Sequence, residues 1–398
     1  MGSKEQKKIL MVAGEVSGDL HAAKVAEALL RKDKGVRLFG LGGPRMAAAG
    51  VEVREDLTKD SAMGFAEVVR QLPASLRRLK DCERWMAGER PDLLVLVDYP
   101  GFNLRLAARA HAMGIPVCYY IAPKVWAWNA SRLKVMAKVL KKLLVIFPFE
   151  AVFFKKHRIP AVFVGNPSVE EMDLKPVARK EVLASLGLKL SQFPLVCAMP
   201  GSRRGEIGKI WPLFLKASRL LRKTCPDAAF VVPMPPGLTP GDFHGVTPDD
   251  PFYFVEGPAY DVRKACDLAW IKSGTSTLET ALLKTPMVVV YKVAMVTGFL
   301  AKRFLKIKDV SLVNILAGRT VVTELLQEKA KPARLVAETN RLLDQRSFRE
   351  GQLKAFAGIH RAIARPAKAS EKAAVEILKL LKSGEPQRTQ RAQRRIFE

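Results

Sequence analysis

The strongest constraint on the fold is a regular alternation of short apolar runs with segments of helical spacing. The run KKILMVAG precedes a helical segment from Gly18 to Leu30, and the fully apolar run PDLLVLVD follows further along the chain. Strands of a parallel sheet that is covered on both faces are apolar throughout, and they alternate with helices in βαβ units. The sequence therefore predicts a doubly wound α/β domain.

The alternation stops in a charged stretch between Ser168 and Gln192, which we interpret as a linker, and then starts again. The second series contains the apolar runs PLVCAMP, AAFVVPM, FYFVEG, DLAWIKSG and PMVVVYK. A chain of 398 residues is also too long for one core, since single cores rarely exceed roughly 250–300 residues. The predicted fold class is α/β, with two doubly wound, Rossmann-like domains facing a cleft, which resembles the architecture of B-type (GT-B) glycosyltransferases.

The expected domain boundaries follow from these patterns. Residues 1–167 form the first domain and residues 168–350 the second. Residues 351–382 form C-terminal helices, and residues 383–398 are a basic tail with few apolar residues, which predicts disorder. Spacing leaves open whether the C-terminal helices pack back on the first domain or exchange between subunits, so a homodimer stays an alternative.

The net charge of +27 limits the classes of partner. Nucleic acid, an anionic membrane and phosphorylated substrates all suit a cationic protein. The basic residues are spread along the chain, and the signatures of the common nucleic-acid-binding motifs are missing, so nucleic acid is not expected as a partner. The five cysteines form no CxxC pair and no cluster has metal-ligand spacing. We therefore expect a reduced compartment, no metal and no cofactor.

Membrane association is expected without a membrane-spanning helix. The sequence has no secretory signal and no apolar run of about 18 residues. Between Ser61 and Trp85, however, apolar residues recur at helical spacing with basic residues among them. The candidate membrane-contact residues are Met63, Phe65, Val68, Val69 and Leu72. An amphipathic basic helix can lie in a bilayer interface, and an ordinary helix that packs on the sheet is the alternative.

Ligands of open α/β sheets bind at the carboxyl ends of the strands, so the loops after the strands hold the candidate site. The loop from Gly14 to Asp19 opens a helix whose exposed N–H groups favour an anion. Its candidate residues are Glu15, Ser17, Gly18 and Asp19, and a plain N-cap by Ser17 or Asp19 is the alternative. The later loop GLGG lacks the spacing of a dinucleotide fingerprint, so NAD is not predicted.

Asp98 follows the most apolar strand of the first domain, at the start of the motif DYPGFN. An acidic residue that emerges from a buried strand into a cleft is well placed as a general base, because nearby apolar groups raise its pKa. The alternative is an N-cap for the helix that begins near Asn103. Two tyrosines and two tryptophans between Tyr119 and Trp128 suit stacking on a sugar or a lipid border, with core packing as the alternative.

Two loops of the second domain suit a diphosphate. The candidate residues are Ser202, Arg203, Ser273, Gly274, Thr275, Ser276 and Glu279. Arg203 precedes a helix and can bind phosphate oxygens with two donors, and the small residues of SGTS surround a second helix start. Glu279 lies one turn into that helix, where it can reach ribose hydroxyls. A capping box with Ser276 is the alternative for Glu279.

Taken together, these motifs resemble those of lipid-A-disaccharide synthase, glycosyltransferase family 19. The matching motifs are GEVSGD, GLGGPRM, DYPGFN, YYIAPKVWAW, FPFE, PGSRRGEI, SGTSTLE and SLVNILAG, and they extend from about Ile9 to about Gln327. Four positions depart from the family pattern. Asn166 stands where histidine is common, Met199 where leucine is usual, and Val313 and Thr323 where prolines are frequent.

The resemblance implies an inverting transfer of 2,3-diacylglucosamine from its UDP carrier to 2,3-diacylglucosamine 1-phosphate, giving a β-1,6-linked disaccharide 1-phosphate and UDP. On this interpretation the first domain binds the acceptor and the membrane, and the second binds the UDP-sugar. Asp98 is the expected base, Asn314 is added to the donor site, and Asn103 to the acceptor site. The implied location is cytoplasmic, peripherally associated with the anionic inner membrane.

Two other classes of function stay open. A different UDP-sugar enzyme of the same fold, such as a peptidoglycan-type transferase or a UDP-sugar epimerase, has the same phosphate loops. An epimerase needs an acid–base pair around the sugar ring and no lipid surface. A basic membrane- or nucleic-acid-binding protein without catalysis predicts binding but no release of UDP.

Overall fold

The computed structural model divides the chain into two compact units, one of residues 1–170 with 363–398 and the other of residues 171–362. Each is built on a parallel sheet, which confirms the predicted pair of Rossmann-like α/β domains. The described residues are 6–58, 72–126, 131–172, 174–189, 193–257, 259–292, 309–364 and 367–383.

A seven-stranded parallel sheet forms the centre of the first unit. Its strands are β1 (Lys7–Ala13), β2 (Val36–Gly42), β3 (Glu52–Asp56), β4 (Leu93–Val97), β5 (Val117–Tyr120), β6 (Lys142–Val145) and β7 (Ala161–Phe163). Its helices are α1 (Val16–Lys32), α2 (Pro44–Ala48), α3 (Leu72–Glu89), α4 (Pro100–Ala112), α5 (Arg132–Val139), α6 (Pro148–Lys156) and α7 (Pro167–Glu171), the last reaching the unit boundary. The strand order is β3-β2-β1-β4-β5-β6-β7.

Both faces of this sheet are buried. In β1, Leu10 and Val12 belong to one hydrophobic core, whereas Ile9 and Met11 belong to the core on the opposite face. All four side chains are fully buried. Because successive residues of a strand point to opposite faces, a sheet covered on both sides needs apolar residues at every buried position, as the part of β1 from Ile9 to Ala13 has.

The last helix, α15 (Ala369–Ser383), packs on α1 and belongs to the first unit. Ile377 is fully buried in the core that α15 shares with α1. Glu371 pairs with Lys32 at 2.7 Å, and Glu376 pairs with Lys142 at 2.9 Å. The chain that leaves the first unit after residue 170 therefore returns to it for its final described helix.

A six-stranded parallel sheet forms the centre of the second unit. Its strands are β8 (Leu195–Met199), β9 (Ala229–Met234), β10 (Phe252–Glu256), β11 (Leu268–Lys272), β12 (Met287–Tyr291) and β13 (Glu324–Leu326). Its helices are α8 (Arg179–Ser185), α9 (Arg204–Leu221), α10 (Tyr260–Ala265), α11 (Thr275–Leu282), α12 (Leu312–Ala317), α13 (Pro332–Asp344) and α14 (Arg346–Ile363). The strand order is β10-β9-β8-β11-β12-β13.

The interpretation of residues 168–192 as a low-order linker is wrong for α8. Leu183 of this helix is buried, and the guanidinium of Arg179 makes two hydrogen bonds to the Asp267 carboxylate, at 2.7 and 2.9 Å. A bidentate ion pair of this kind holds α8 firmly on the second unit.

The candidate membrane segment falls largely outside the described residues. Met63, Phe65, Val68 and Val69 lie there, and Leu72 is the first residue of α3, with its side chain not described. Within the described ranges, none of the helices combines the length and apolar composition that crossing a membrane requires.

Candidate active site

The loops singled out in the sequence lie at the topological switch points of the two sheets. In the first unit, Gly14–Asp19 follows β1 and Asp98 follows β4, and these strands are hydrogen-bonded neighbours. In the second unit, Ser202 and Arg203 follow β8, and Ser273–Ser276 follows its neighbour β11. The strand order reverses between each of these pairs, which opens a crevice at the carboxyl edge of each sheet.

Asp98 sits in a strained turn at the end of β4. Its φ is +46° and that of Tyr99 is +49°, two consecutive left-handed conformations in residues other than glycine. The Asp98 carbonyl accepts hydrogen bonds from the amide of Asn103, at 2.7 Å, and from the Tyr119 hydroxyl. Its N–H donates to the Tyr120 carbonyl at 3.0 Å. These contacts compensate for the strain and hold the acid at the crevice.

The pKa of Asp98 is raised above its ordinary value. Burial is the largest cause, and the negative charge of Glu15 adds to it, while Lys124 and His21 act in the opposite direction. A carboxylate with a raised pKa binds a proton more strongly, as a general base near neutral pH must. Asp98 does not cap the next helix, because the N-cap of α4 is Tyr99, so the N-cap alternative is wrong.

Glycine at position 14 is required by the ring of Tyr99. A Cβ atom placed on Gly14 would lie 2.3 Å from that ring. Tyr99 also stacks on Phe102, with ring centroids 5.6 Å apart. The glycine therefore lets the loops after β1 and β4 lie directly against each other.

Asp19 joins two loops. Its side chain is 1% exposed, and its carboxylate accepts hydrogen bonds from the N–H groups of Gly43, Arg45 and Met46 at 2.8–3.0 Å. This buried carboxylate binds the start of α2 and so positions the two loops, and its expected contact with the acceptor stays a prediction. The N-cap of α1 is Glu15, which shows that the capping alternative for Ser17 and Asp19 is also wrong.

Glu15 and Ser17 are exposed at the start of α1, whereas Gly18 is buried. Asn103, expected at the acceptor, is fully buried. Its amide donates to the carbonyls of Val97, at 3.2 Å, and Asp98, at 2.7 Å. Asn103 therefore shapes the turn that carries Asp98, and its expected contact with the acceptor stays a prediction.

The aromatic cluster divides into two parts. Tyr119 and Tyr120 are buried in the cores, as the packing alternative states. Trp126 is half-buried and donates its indole N–H to Glu150 at 3.0 Å. Trp128 lies outside the described residues.

Glu150 is an acidic group that the residue patterns do not single out. It is 1% exposed, in the first turn of α6, and it also accepts the N–H of Phe147 at 3.2 Å. Burial raises its pKa to about 7, against the opposing effects of Trp126, backbone N–H groups and Lys124. The only sequence signal is the motif FPFE, since burial by a loop more than twenty residues away leaves no local pattern.

In the second unit, the loop after β8 leaves Ser202 and Arg203 exposed. Arg203 is the N-cap residue of α9, and no side chain caps the helix. The neighbouring Arg204 is turned to Asp242, with a hydrogen bond of 2.6 Å, and to the Gly237 carbonyl at 3.1 Å. Of the two adjacent arginines, Arg204 thus has its guanidinium held by partners within the protein, whereas Arg203 is exposed at the N-cap position of α9.

The loop after β11 leads directly into α11. Gly274 is the N-cap residue, Thr275 is exposed and Ser276 is half-buried. The capping box of Ser276 with Glu279 is wrong, because Ser276 already lies inside the helix. The hydroxyl of Ser273 donates to the Val310 carbonyl at 2.9 Å, so this residue holds the loop in place.

Glu279 and Asn314 have partners within the protein. One carboxylate oxygen of Glu279 accepts from Arg263, a 2% exposed cation, at 3.0 Å. Asn314 is fully buried, and its amide bonds to the backbone of Val321 and Val322 and to the carboxylate of Glu324. Asn314 therefore holds the loop before β13 in place, and its expected contact with the donor stays a prediction.

No group of three or more His, Cys, Asp or Glu residues in the described part of the chain is arranged to hold a metal ion. The groups singled out at the two switch points carry opposite charges. The first has the carboxylates of Glu15 and Asp98, and the second has Arg203 with the N-termini of α9 and α11.

Solved structures with the same architecture define the class. The UDP-GlcNAc 2-epimerase of Neisseria meningitidis bound to UDP-GlcNAc is similar with a TM-score of 0.60 and 14% identity, over 94% of this chain and 100% of that one. The calicheamicin glycosyltransferase CalG4 has a TM-score of 0.57 and 15% identity, over 96% and 100%. The protein thus has the GT-B fold that glycosyltransferases and UDP-sugar epimerases share.

Sequence relatives define the family. The family model described as lipid-A-disaccharide synthetase matches residues 9–378. A lipid-A-disaccharide synthase of Anaeromyxobacter dehalogenans is 42% identical over 365 residues, 90% of this chain and 94% of the relative. That of Myxococcus xanthus is 38% identical over 383 residues, 95% and 98%. The chain belongs to the lipid-A-disaccharide synthetase family and is a glycosyltransferase of bacterial lipid A biosynthesis, which confirms the resemblance seen in the sequence.

Proposed function

We propose that the protein transfers 2,3-diacylglucosamine from its UDP carrier to the 6-hydroxyl of 2,3-diacylglucosamine 1-phosphate, with inversion at the anomeric carbon. The observation that carries the proposal is Asp98, a carboxylate with a raised pKa at the switch point of the first sheet. Family membership supplies the class of reaction.

The proposed step is a single displacement. The Asp98 carboxylate takes the proton of the acceptor hydroxyl. At the same time, the oxygen of that hydroxyl bonds to the anomeric carbon of the donor. The bond between that carbon and the UDP oxygen breaks, and UDP leaves with the electron pair. One displacement converts the α linkage of the donor into a β-1,6 linkage, which needs one base and no covalent intermediate.

The second unit is the proposed site of the UDP-sugar. Negative charge grows on the diphosphate as the bond breaks, and preorganised donors at that position stabilise the transition state. Arg203 and the N–H groups at the start of α11, with Thr275 and Ser276, are suited to this role. The oxygen of Glu279 that Arg263 does not occupy is proposed to accept a ribose hydroxyl.

The first unit is the proposed site of the acceptor. The exposed hydroxyl of Ser17 and the N-terminus of α1 suit the 1-phosphate of the acceptor. The carboxylate of Glu15 suits a sugar hydroxyl, and its charge keeps the pKa of Asp98 high. Asp19 and Asn103 are proposed to fix the loops around these groups.

We also propose that Met63, Phe65, Val68, Val69 and Leu72 contact the anionic inner face of the bacterial inner membrane, where the acylated substrates are held. Two exposed neighbours on α3 support this. Leu76 is 45% exposed, and the Arg77 side chain is 67% exposed. Apolar and basic groups side by side suit a bilayer interface.

Replacement of Phe65, Val69 and Leu72 by serine is expected to weaken sedimentation with phosphatidylglycerol vesicles severalfold while the thermal unfolding midpoint stays unchanged. Loss of the folded state in this variant would instead favour a helix that packs in the core.

A donor-only incubation tests the choice between a transferase and an epimerase. With UDP-diacylglucosamine and no acceptor, the donor is expected to stay intact in its proton NMR spectrum. Appearance of a UDP-sugar epimerised at C2 would contradict the transferase and favour the epimerase alternative.

A further inference from the structure

An ion pair connects the two loops proposed to bind the donor. Lys272 is the last residue of β11, directly before the Ser273 loop. Its ammonium nitrogen lies 2.8 Å from a carboxylate oxygen of Glu206, in the first turn of α9. Because β8 and β11 are neighbouring strands, this pair crosses the switch point of the second sheet.

The position of Glu206 needs an explanation, since a carboxylate in the first turn of α9 faces a site suited to anions. Its second oxygen accepts the N–H of Ser202 at 3.1 Å. A Cβ atom placed on Gly201 would lie 2.6 Å from that oxygen, and the φ of Gly201 is +143°. Glu206 therefore fixes the Gly201–Ser202 turn by a hydrogen bond and by close packing.

The charge of Glu206 is balanced locally. Burial acts to raise its pKa, but the hydrogen bond from Lys272 and the positive charge nearby lower it overall. The carboxylate is thus ionised at neutral pH and paired, so that an incoming diphosphate meets a neutral pair rather than a free negative charge.

The ammonium of Lys272 has N–H donors beyond the one that bonds to Glu206. An ammonium has three N–H donors, and Glu206 takes one hydrogen bond from Lys272 in the described part of the chain. The Lys272 side chain is 21% exposed, so part of it is in reach of solvent at the switch point. Pairing with Glu206 also holds the long side chain in place, which reduces the entropy lost when it binds a ligand.

We propose that Lys272 is a further donor-binding residue, whose ammonium is held by Glu206 beside the Ser202–Arg203 turn and binds an oxygen of the donor's diphosphate. Lysine acts in such sites as a point charge, complementing the planar guanidinium of Arg203. The inference rests on the proposed function, because it requires the nucleotide to bind in the second unit.

The competing explanation is that Lys272 serves only to neutralise Glu206. Removing the lysine alone then weakens UDP binding simply by exposing the carboxylate. A double-mutant cycle separates the two explanations, because Lys272→Met with Glu206→Gln removes both charges and leaves no unpaired carboxylate. This double variant also guards against misfolding of the single variant.

The experiment measures the affinities of UDP and uridine by isothermal titration calorimetry. Lys272→Met is expected to weaken UDP about tenfold while uridine binding stays unchanged. The double variant is expected to bind UDP about five- to tenfold more weakly than Glu206→Gln alone. Lys216→Met, which removes a charge from the exposed face of α9, is the matched control and is expected to keep the wild-type affinities.

Equal UDP affinities of the double variant and Glu206→Gln would overturn the proposal in favour of simple neutralisation. Equal weakening of UDP and uridine by Lys272→Met would overturn it in favour of a purely structural role. Failure of the wild-type protein to bind UDP would contradict the proposed function itself, a result distinct from both.

Discussion

The two switch points have the same topology and opposite charge. At the carboxyl edge of the first sheet lie the carboxylates of Glu15 and Asp98 and the buried Glu150. At that of the second sheet, Arg203 is the N-cap residue of α9, and the carboxylate of Glu206 in the first turn of this helix is paired with Lys272. The strand order places a crevice in each unit, and the loops alone decide whether it suits removal of a proton or binding of an anion.

The largest expected effect comes from removing the base. Asp98→Ala is expected to lower kcat by about 10³-fold, since the acceptor hydroxyl then loses its proton acceptor. UDP affinity is expected to stay within about twofold, because the nucleotide is assigned to the other unit. Steady-state turnover and calorimetry measure the two quantities.

Glu27→Gln is the matched control, because it neutralises an exposed carboxylate of α1 in the same unit. Turnover of Asp98→Ala close to that of this control would remove Asp98 from the role of base. A large loss of UDP affinity in Asp98→Ala would contradict the division between the two units.

The buried carboxyl group of Glu150 in the first unit also predicts a pH-dependent stability. The pKa of Glu150 is about 7, above its ordinary value of 4.5, so the folded protein binds this proton more tightly than the unfolded chain. The resulting stabilisation is complete below pH 4.5 and is lost as the pH rises through 7, by on the order of 3 kcal/mol. Urea unfolding across this range, followed by tryptophan fluorescence, measures it.

Glu150→Gln removes this titration while keeping an acceptor for the Trp126 indole. As the pH rises from 4.5 to 7, the unfolding free energy of the wild type is therefore expected to fall relative to that of the variant. A difference that does not change with pH would show that Glu150 keeps an ordinary pKa.

The two adjacent arginines of the second unit sharpen the comparison further. Arg203→Ala is expected to weaken UDP binding about ten- to thirtyfold, the size of a lost charge-assisted hydrogen bond. Arg204→Ala breaks an exposed ion pair with Asp242 and is expected to change UDP affinity less than about threefold. If Arg204→Ala had the larger effect in calorimetry, the assignment of the phosphate contact would have to be reversed.

The positions of the loops could be predicted from the sequence because apolar runs mark parallel strands, and ligand sites follow their carboxyl ends. The raised pKa of Asp98 follows from the same rule, because the residue comes directly after a buried strand. The roles of Asp19, Asn103 and Asn314 could not be predicted in this way. Each lies in a motif suited to ligand binding. The partners of Asp19 are N–H groups at least 24 positions away, and those of Asn103 and Asn314 are groups 5 to 10 positions away that local turns bring close.

The same limit explains two other differences. The pairing of Arg179 with Asp267 joins residues 88 positions apart, so the charged stretch that contains α8 looks like a linker in the sequence. The acidity of Glu150 depends on burial and on Trp126, 24 positions away. Long-range partners of polar residues decide both cases, and local spacing carries no information about them.

Product analysis of one reaction tests the proposed inverting transfer most directly. Purified protein is supplied with UDP-diacylglucosamine and diacylglucosamine 1-phosphate, and the products are identified by mass spectrometry and proton NMR. We expect a β-1,6-linked tetraacyl disaccharide 1-phosphate and one equivalent of UDP. Release of UDP with free diacylglucosamine instead of the disaccharide, or an α-linked product, would contradict the inverting transfer.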